Sequence, residues 1–147
     1  MNTRLFYLIA IICFSLLSPA SGQESDRVRT EIEDLLSMQS EAWNKGDIEG
    51  FMQTYWDQDE LQFLSKSGPT FGYQNTLQNY YKRYPDRQSM GQLTFNVISL
   101  NKRSRKVYSL IGRYHLERVG IDNLEGYFLL ILQKIRGHWK IVADSTH

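Results

Sequence analysis

The feature that most limits what this chain can become is a change of period part-way along it. Through residues 25–55 the apolar side chains recur every three or four positions, whereas beyond Gln92 they alternate with polar ones. A 3.6-residue repeat lines one stripe of a helix, and a two-residue repeat lines one face of a strand. Helices first and a run of strands afterwards imply layering, with one face of a sheet covered by the helices, so the chain reads as α+β.

Residues 25–44 carry Val28, Ile32, Leu35, Leu36, Ala42 and Trp43 at helical spacing, with Asp26, Glu31, Glu33 and Asp34 early in the run. Early acids suit the positive end of a helix dipole. Lys45-Gly46 supplies a stop, and Asp47 is a good N-cap for a short second helix through Ile48, Phe51, Met52 and Tyr55. Residues 61–64 read as a short strand, 66–69 as a turn, and 70–72 as a second extended piece. A third helix is predicted over residues 73–84, with Leu77, Tyr80, Tyr81 and Tyr84 on overlapping faces and Pro85 ending it.

In the last third, Leu93, Phe95 and Val97 alternate with polar partners, and so do Tyr108, Leu110, Tyr114 and Leu116. Turn-like breaks at 101–106, 120–123 and 136–138 divide this stretch into four antiparallel strands joined by hairpins. Residues 127–132 are apolar on both parities, which predicts a central strand covered on both faces.

The N-terminus reads differently from the rest. Arg4 precedes an apolar run over residues 5–17, interrupted only by Ser15, and the run closes on Ser18-Pro19-Ala20-Ser21-Gly22. One positive charge, a short apolar segment and small residues make a secretory signal. The expected organisation is a signal peptide over 1–22, removed on export to the periplasm or the extracellular space, and one domain over 23–147. The apolar run is shorter than the roughly 20 residues a spanning helix needs, so a retained anchor is the weaker reading. Cys13, the one cysteine, would leave with the signal, and the mature domain could form no disulfide. Removing Arg4 leaves sixteen Lys plus Arg against sixteen Asp plus Glu, a formal charge of zero. Nucleic-acid binders usually carry a basic excess, so no nucleic-acid partner is expected. The cluster Lys102-Arg103-Ser104-Arg105-Lys106 reads as a solvated turn.

Five segments then fall in a known order and spacing. They are Ala42-Trp43-Asn44-Lys45-Gly46-Asp47, Ser67-Gly68-Pro69-Thr70-Phe71-Gly72, Met90-Gly91-Gln92-Leu93, Gly112-Arg113-Tyr114 and Trp139-Lys140-Ile141-Val142-Ala143-Asp144-Ser145. Together they resemble the nuclear transport factor 2-like (NTF2-like) superfamily, and within it the SnoaL-like, DUF4440 branch, over residues 24–147. The resemblance implies a cone: a strongly curved, mostly antiparallel sheet packed by three helices from the N-terminal half around a pocket. It also implies a homodimer formed through the outer face of the sheet. The superfamily hosts isomerases, dehydratases, cyclases and plain binding modules, so the fold alone selects none of these.

The same resemblance nominates site residues. Arg113 matches an arginine that points into the cavity and holds carboxylates in related kinase association domains, a task suited to its planar fork; otherwise it pairs with Glu117 or Asp144. Asp144 matches an aspartate usual in the branch, and strand parity groups it with Val142 and Thr146. Alone in an apolar cavity it would have a raised pKa and could serve as a general acid–base, whereas beside Arg113 its pKa would fall. Tyr55, Trp56, Phe63, Phe71, Tyr80, Tyr81 and Phe128 sit on elements that line the cavity in relatives, while Trp43 and Trp139 read as packing residues. His115 shares the strand face of Arg113 and is a candidate for the pocket rim. The branch often has a His-Asp-His triplet where Ala143 and Ser145 flank Asp144 here, so no metal and no cofactor are expected. Ketosteroid isomerase-like relatives carry their general base late in the strand after the second helix, where this chain has Phe63, Leu64 and Ser65; proton abstraction needs a base within hydrogen-bond reach, so that particular chemistry is disfavoured.

Three functions remain open from the sequence. The first is a binding domain for a small, partly apolar ligand bearing a carboxylate or carbonyl. The second is an isomerase, dehydratase or cyclase with Asp144 as acid–base. The third is a structural dimer or partner-binding module.

Overall fold

A computed structural model describes residues 20–147; the expected signal segment lies almost wholly outside the described residues. The chain runs α1 (Ala20–Lys45), α2 (Ile48–Met52), β1 (Gln62–Ser65), β2 (Gly68–Phe71), α3 (Tyr73–Arg83), α4 (Arg87–Met90), β3 (Gln92–Ser104), β4 (Val107–Glu117), β5 (Leu124–Ile135) and β6 (His138–Thr146). Among the described residues no helix is long and apolar enough to cross a membrane.

Helix α1 buries Val28, Ile32, Leu35, Leu36, Gln39 and Trp43, all on one stripe. It stops at Gly46, whose φ of +84° is left-handed and lets the amide of Asp47 bond back to the Ala42 carbonyl at 2.9 Å. Asp47 then caps α2 by accepting from the Gly50 amide at 2.8 Å. The end of α1 is tied to the start of β3. The Asn44 side chain accepts from the Leu93 amide at 2.7 Å and donates to the Leu93 carbonyl at 3.1 Å, much as a neighbouring strand would. Trp43 Nε1 donates to the Met90 carbonyl at 3.0 Å, and Arg87 donates to the carbonyls of Trp43 and Asn44. Two of the five family-like segments are thus one contact.

The single-turn helix α4 is an element that periodicity could not reveal. Asp86 caps it by accepting from the Ser89 amide at 2.7 Å. The chain leaves it through Gly91 (φ +62°), where a Cβ would stand 2.3 Å from the Glu117 carbonyl oxygen, so only glycine fits.

All six strands form one sheet in the order β2-β1-β6-β5-β4-β3, antiparallel except for the β1–β6 pair. Three irregularities bend it, two in β3 and one in β6 opposite Ile131/Leu132. The β6 irregularity skips Val142, so Ile141 and Asp144 both turn inward. The expected grouping of Asp144 with Val142 is therefore corrected, while Thr146 does share its face. The concave side holds the core, including Leu110, Leu116, Leu130, Leu132 and Ile141 against the helices. Strand β5 is central, as its composition predicts, but the expected cover on both faces is corrected: among the described residues nothing covers its outer face, where Tyr127 is 60% and Leu129 41% exposed.

Candidate functional site

The curved sheet and the helices leave a cavity of about 480 Å³. Trp43 from α1, Phe51 from α2 and Tyr80 from α3 form one wall, in edge-on contacts with Trp43–Phe51 centroids 5.0 Å and Phe51–Tyr80 centroids 5.1 Å apart. Phe63 from β1 joins Tyr80 at 5.8 Å. The opposite wall is the sheet, with Phe95 against Phe128 at 5.4 Å, together with Tyr114, Leu116 and Leu130. Gly112 is small because Phe128 lies on it: a Cβ there would be 2.3 Å from the ring.

Asp144 lines this cavity and is buried at 6% exposure. Its two oxygens accept from hydroxyls, Oδ2 from Tyr55 at 2.7 Å and Oδ1 from Thr146 at 2.5 Å. Tyr55 is brought there by the main chain, since the segment 54–56 pairs along the edge of β6: the Ile141 amide donates to the Thr54 carbonyl and the Trp56 amide to the Ile141 carbonyl. Burial raises the Asp144 carboxyl from its ordinary 3.8 to about 6, against the opposing pull of the Thr146 and Tyr55 hydrogen bonds. The phenols of Tyr55 and Tyr80 are pushed well above 10 by burial first and by the Asp144 charge second. Tyr80 is half-buried and lines the cavity, with its hydroxyl near that of Tyr55. A carboxyl raised to about 6, holding the Tyr55 hydroxyl and lying near the Tyr80 phenol, can accept a proton while Tyr80 donates a hydrogen bond to an oxygen in the same place.

Five expected site residues converge here: Tyr55, Phe63, Tyr80, Phe128 and Asp144. Four do not. Arg113 lies on the other face of the sheet, about half exposed, and pairs with Glu125 (Nη2 to Oε2, 2.7 Å). His115 is beside it, with Nδ1 3.5 Å from the same carboxylate. The reason is strand alternation: Tyr114 and Leu116 face the cavity, so 113 and 115 must face out. Trp56, next to Tyr55, is half-buried outside the cavity, and Phe71 stands 60% exposed on edge strand β2. Tyr81 also lies outside, its hydroxyl donating to Glu49 at 2.9 Å. Trp43 does more than pack, since its ring forms part of the wall.

Residues that sequence reasoning missed include Tyr84, Tyr114, Thr76 and Arg83. Thr76, Tyr80 and Arg83 lie four and then three positions apart on α3, so the helical repeat through Tyr80 would have found the others. Among the described residues no three His, Cys, Asp or Glu side chains gather where they could hold a metal.

A crystal structure of an NTF2-like protein of unknown function from Shewanella oneidensis MR-1 superposes with a TM-score of 0.77 at 35% identity, covering 81% of this chain and 98% of that one. The chain belongs to the NTF2-like family. Two further NTF2-like folds are similar in shape alone. A putative scytalone dehydratase from Novosphingobium aromaticivorans DSM 12444 gives a TM-score of 0.68 at 11% identity, over 86% of this chain and 87% of that one. A ketosteroid isomerase-like protein from Erwinia carotovora atroseptica SCRI1043 gives 0.62 at 16%, over 80% and 92%. No family model and no curated protein sequence matches the chain.

Proposed function

We propose that this NTF2-like protein takes a small, partly apolar carbonyl compound into its cone, with the carbonyl oxygen accepting from Tyr80 and its α-carbon over Asp144. The observation that carries this reading is Asp144 itself: a buried carboxylate on the wall of an aromatic cavity, held by hydroxyls and by no cation among the described residues. A buried charge without a counter-ion costs stability, so its presence favours a role toward a ligand. Arg113 was the reason to expect a carboxylate deep in the pocket, and its outward position removes that reason; the carbonyl remains.

The raised Asp144 pKa favours a second, chemical reading of the same geometry. The carboxylate removes a proton from the carbon next to the carbonyl while Tyr80 holds the oxygen, and the carboxylic acid then gives that proton either to another carbon of the enolate or to a β-hydroxyl, which leaves as water. That sequence isomerises a substrate, or eliminates a β-hydroxyl, with no co-reactant. Dehydratase-like and isomerase-like proteins share the fold, in keeping with such chemistry on this scaffold. The test uses 2-acetylnaphthalene. Wild-type protein is expected to bind it, Tyr80→Phe to bind it about three- to tenfold more weakly for one lost hydrogen bond, and wild type but not Asp144→Asn to exchange its methyl protons for deuterium in D₂O, followed by ¹H NMR. Equal affinity of Tyr80→Phe removes the carbonyl contact; exchange no faster than buffer leaves a binding protein.

Two further parts of this reading concern the whole chain. Residues 1–22 act as an export signal, leaving a mature domain of the SnoaL-like, DUF4440 type outside the cytoplasm. The convex face forms a homodimer, because Ile98, Ile111, Tyr127 and Leu129 expose apolar surface there, with Ile111 paired across the strands to Leu129. Sedimentation velocity is expected to show a dimer that Leu129→Lys converts to monomer; a wild-type monomer at micromolar concentration contradicts it.

A further inference from the structure

Arg83 ends α3 one helical turn beyond Tyr80, about 5 Å along the axis. It lines the same cavity, yet it is exposed, so it belongs to the mouth. Among the described residues no carboxylate pairs with it; its Nη2 donates to the Ser67 hydroxyl at 3.2 Å, and its guanidinium also hydrogen-bonds the Tyr84 phenol. The guanidinium is close enough to Tyr84 and Tyr114 for its charge to draw both phenols down against the effect of burial. Between mouth and floor the path is aromatic: Tyr84 stacks on Tyr80 with centroids 6.1 Å apart and 24° between planes, and Trp43 meets Tyr84 edge-on at 4.8 Å. The cavity is thus polarised, with a carboxyl and phenols at one end, rings along the middle and the Arg83 guanidinium flanked by hydroxyls at the other.

We infer that Arg83, with the Tyr84, Tyr114 and Ser67 hydroxyls, is an anion-reading site at the mouth that takes the carboxylate of an elongated, planar keto acid whose carbonyl end reaches Tyr80 and Asp144. This rests on the reading above that the cone binds a carbonyl compound. A guanidinium with no acid of its own presents N–H donors at no cost of breaking a pair, and a carboxylate accepts from it bidentately. The same carboxylate is excluded from the floor by the charge of Asp144, so the two ends of the cavity select one orientation of the ligand.

The probes are 6-acetyl-2-naphthoate, its methyl ester and 2-acetylnaphthalene, with affinities read by fluorescence titration. Wild type is expected to bind the acid about tenfold more tightly than the ester, a preference that weakens as salt is added. Arg83→Gln abolishes that preference while leaving ester affinity within about twofold, and Lys106→Gln, at an exposed lysine outside the cavity, leaves the preference in place. Arg83 is exposed, so its substitution spares folding, which thermal melting checks. Equal binding of acid and ester by wild type, or a preference unchanged in Arg83→Gln, overturns the mouth site while the cavity reading stands. Failure of all three probes to bind overturns both.

Discussion

Asp144→Asn is expected to make the protein more stable at pH 8, by up to about 3 kcal/mol, and to lose that advantage as the pH falls toward 4. The carboxyl titrates near 3.8 when unfolded and at about 6 when folded. Between those values the folded protein holds a proton that the unfolded chain has released, so this group's contribution falls as pH rises. It is fully present below about 3.8 and gone above about 6. The gap of roughly two pKa units corresponds to about 3 kcal/mol. Asparagine carries no charge, accepts from Tyr55 through its oxygen and donates to the Thr146 hydroxyl through its nitrogen, so the hydrogen bonds survive and the cost of the buried charge does not. Chemical denaturation of both proteins across that range gives the difference directly. A variant less stable than wild type at every pH would mean that the carboxylate serves the fold. Stabilisation on removal is what a group kept for its ligand predicts.

Trp43→Ala is expected to cost about 3–5 kcal/mol, a large share of the roughly 5–15 kcal/mol that holds a domain folded. Trp43 is 2% exposed and touches Phe51, Tyr80 and Tyr84, while its indole N–H is the bond to the Met90 carbonyl. Its loss opens a void behind the cavity wall and frees the start of β3 from the end of α1. Trp43→Phe keeps most of the ring contact and leaves the Met90 carbonyl without its donor, for about 1–2 kcal/mol. Urea midpoints measure both. A loss under about 1 kcal/mol for the alanine variant would show that the wall does not depend on this ring.

The layers of the fold were legible because period and punctuation agree. The stripe from Val28 to Trp43, the Gly46 stop, the Asp47 cap and Pro85 each have a local cause, and the structure follows them. Asp144 was nominated by the resemblance, and the alternation of β6 from Asp144 to Thr146 puts those two on one face. The bulge at Val142 was not, since it answers to pairing with β5 rather than to any residue preference. Arg113 is the instructive failure. The alternation of Tyr108, Leu110, Tyr114 and Leu116 already turned residue 113 outward, and the match to a cavity arginine in relatives pulled the other way. The pleat decides, because a strand cannot bury 114 and 116 on one face and present 113 on the same one. The apolar outer face of β5 promised a cover that the described residues do not supply. Arg83 escaped notice because a cation in the last turn of a helix is ordinary; only the curvature of the sheet shows that this turn borders a cavity.

The whole account depends on Asp144 being held dry at the wall of a cavity. Labelling aspartate side chains with ¹³C and following the Asp144 Cγ signal by NMR against pH tests that directly. The account predicts a midpoint of about 6, shifting when 2-acetylnaphthalene is added. A midpoint at or below 3.8, unmoved by the probe, would show a solvated or ion-paired carboxylate and contradict it.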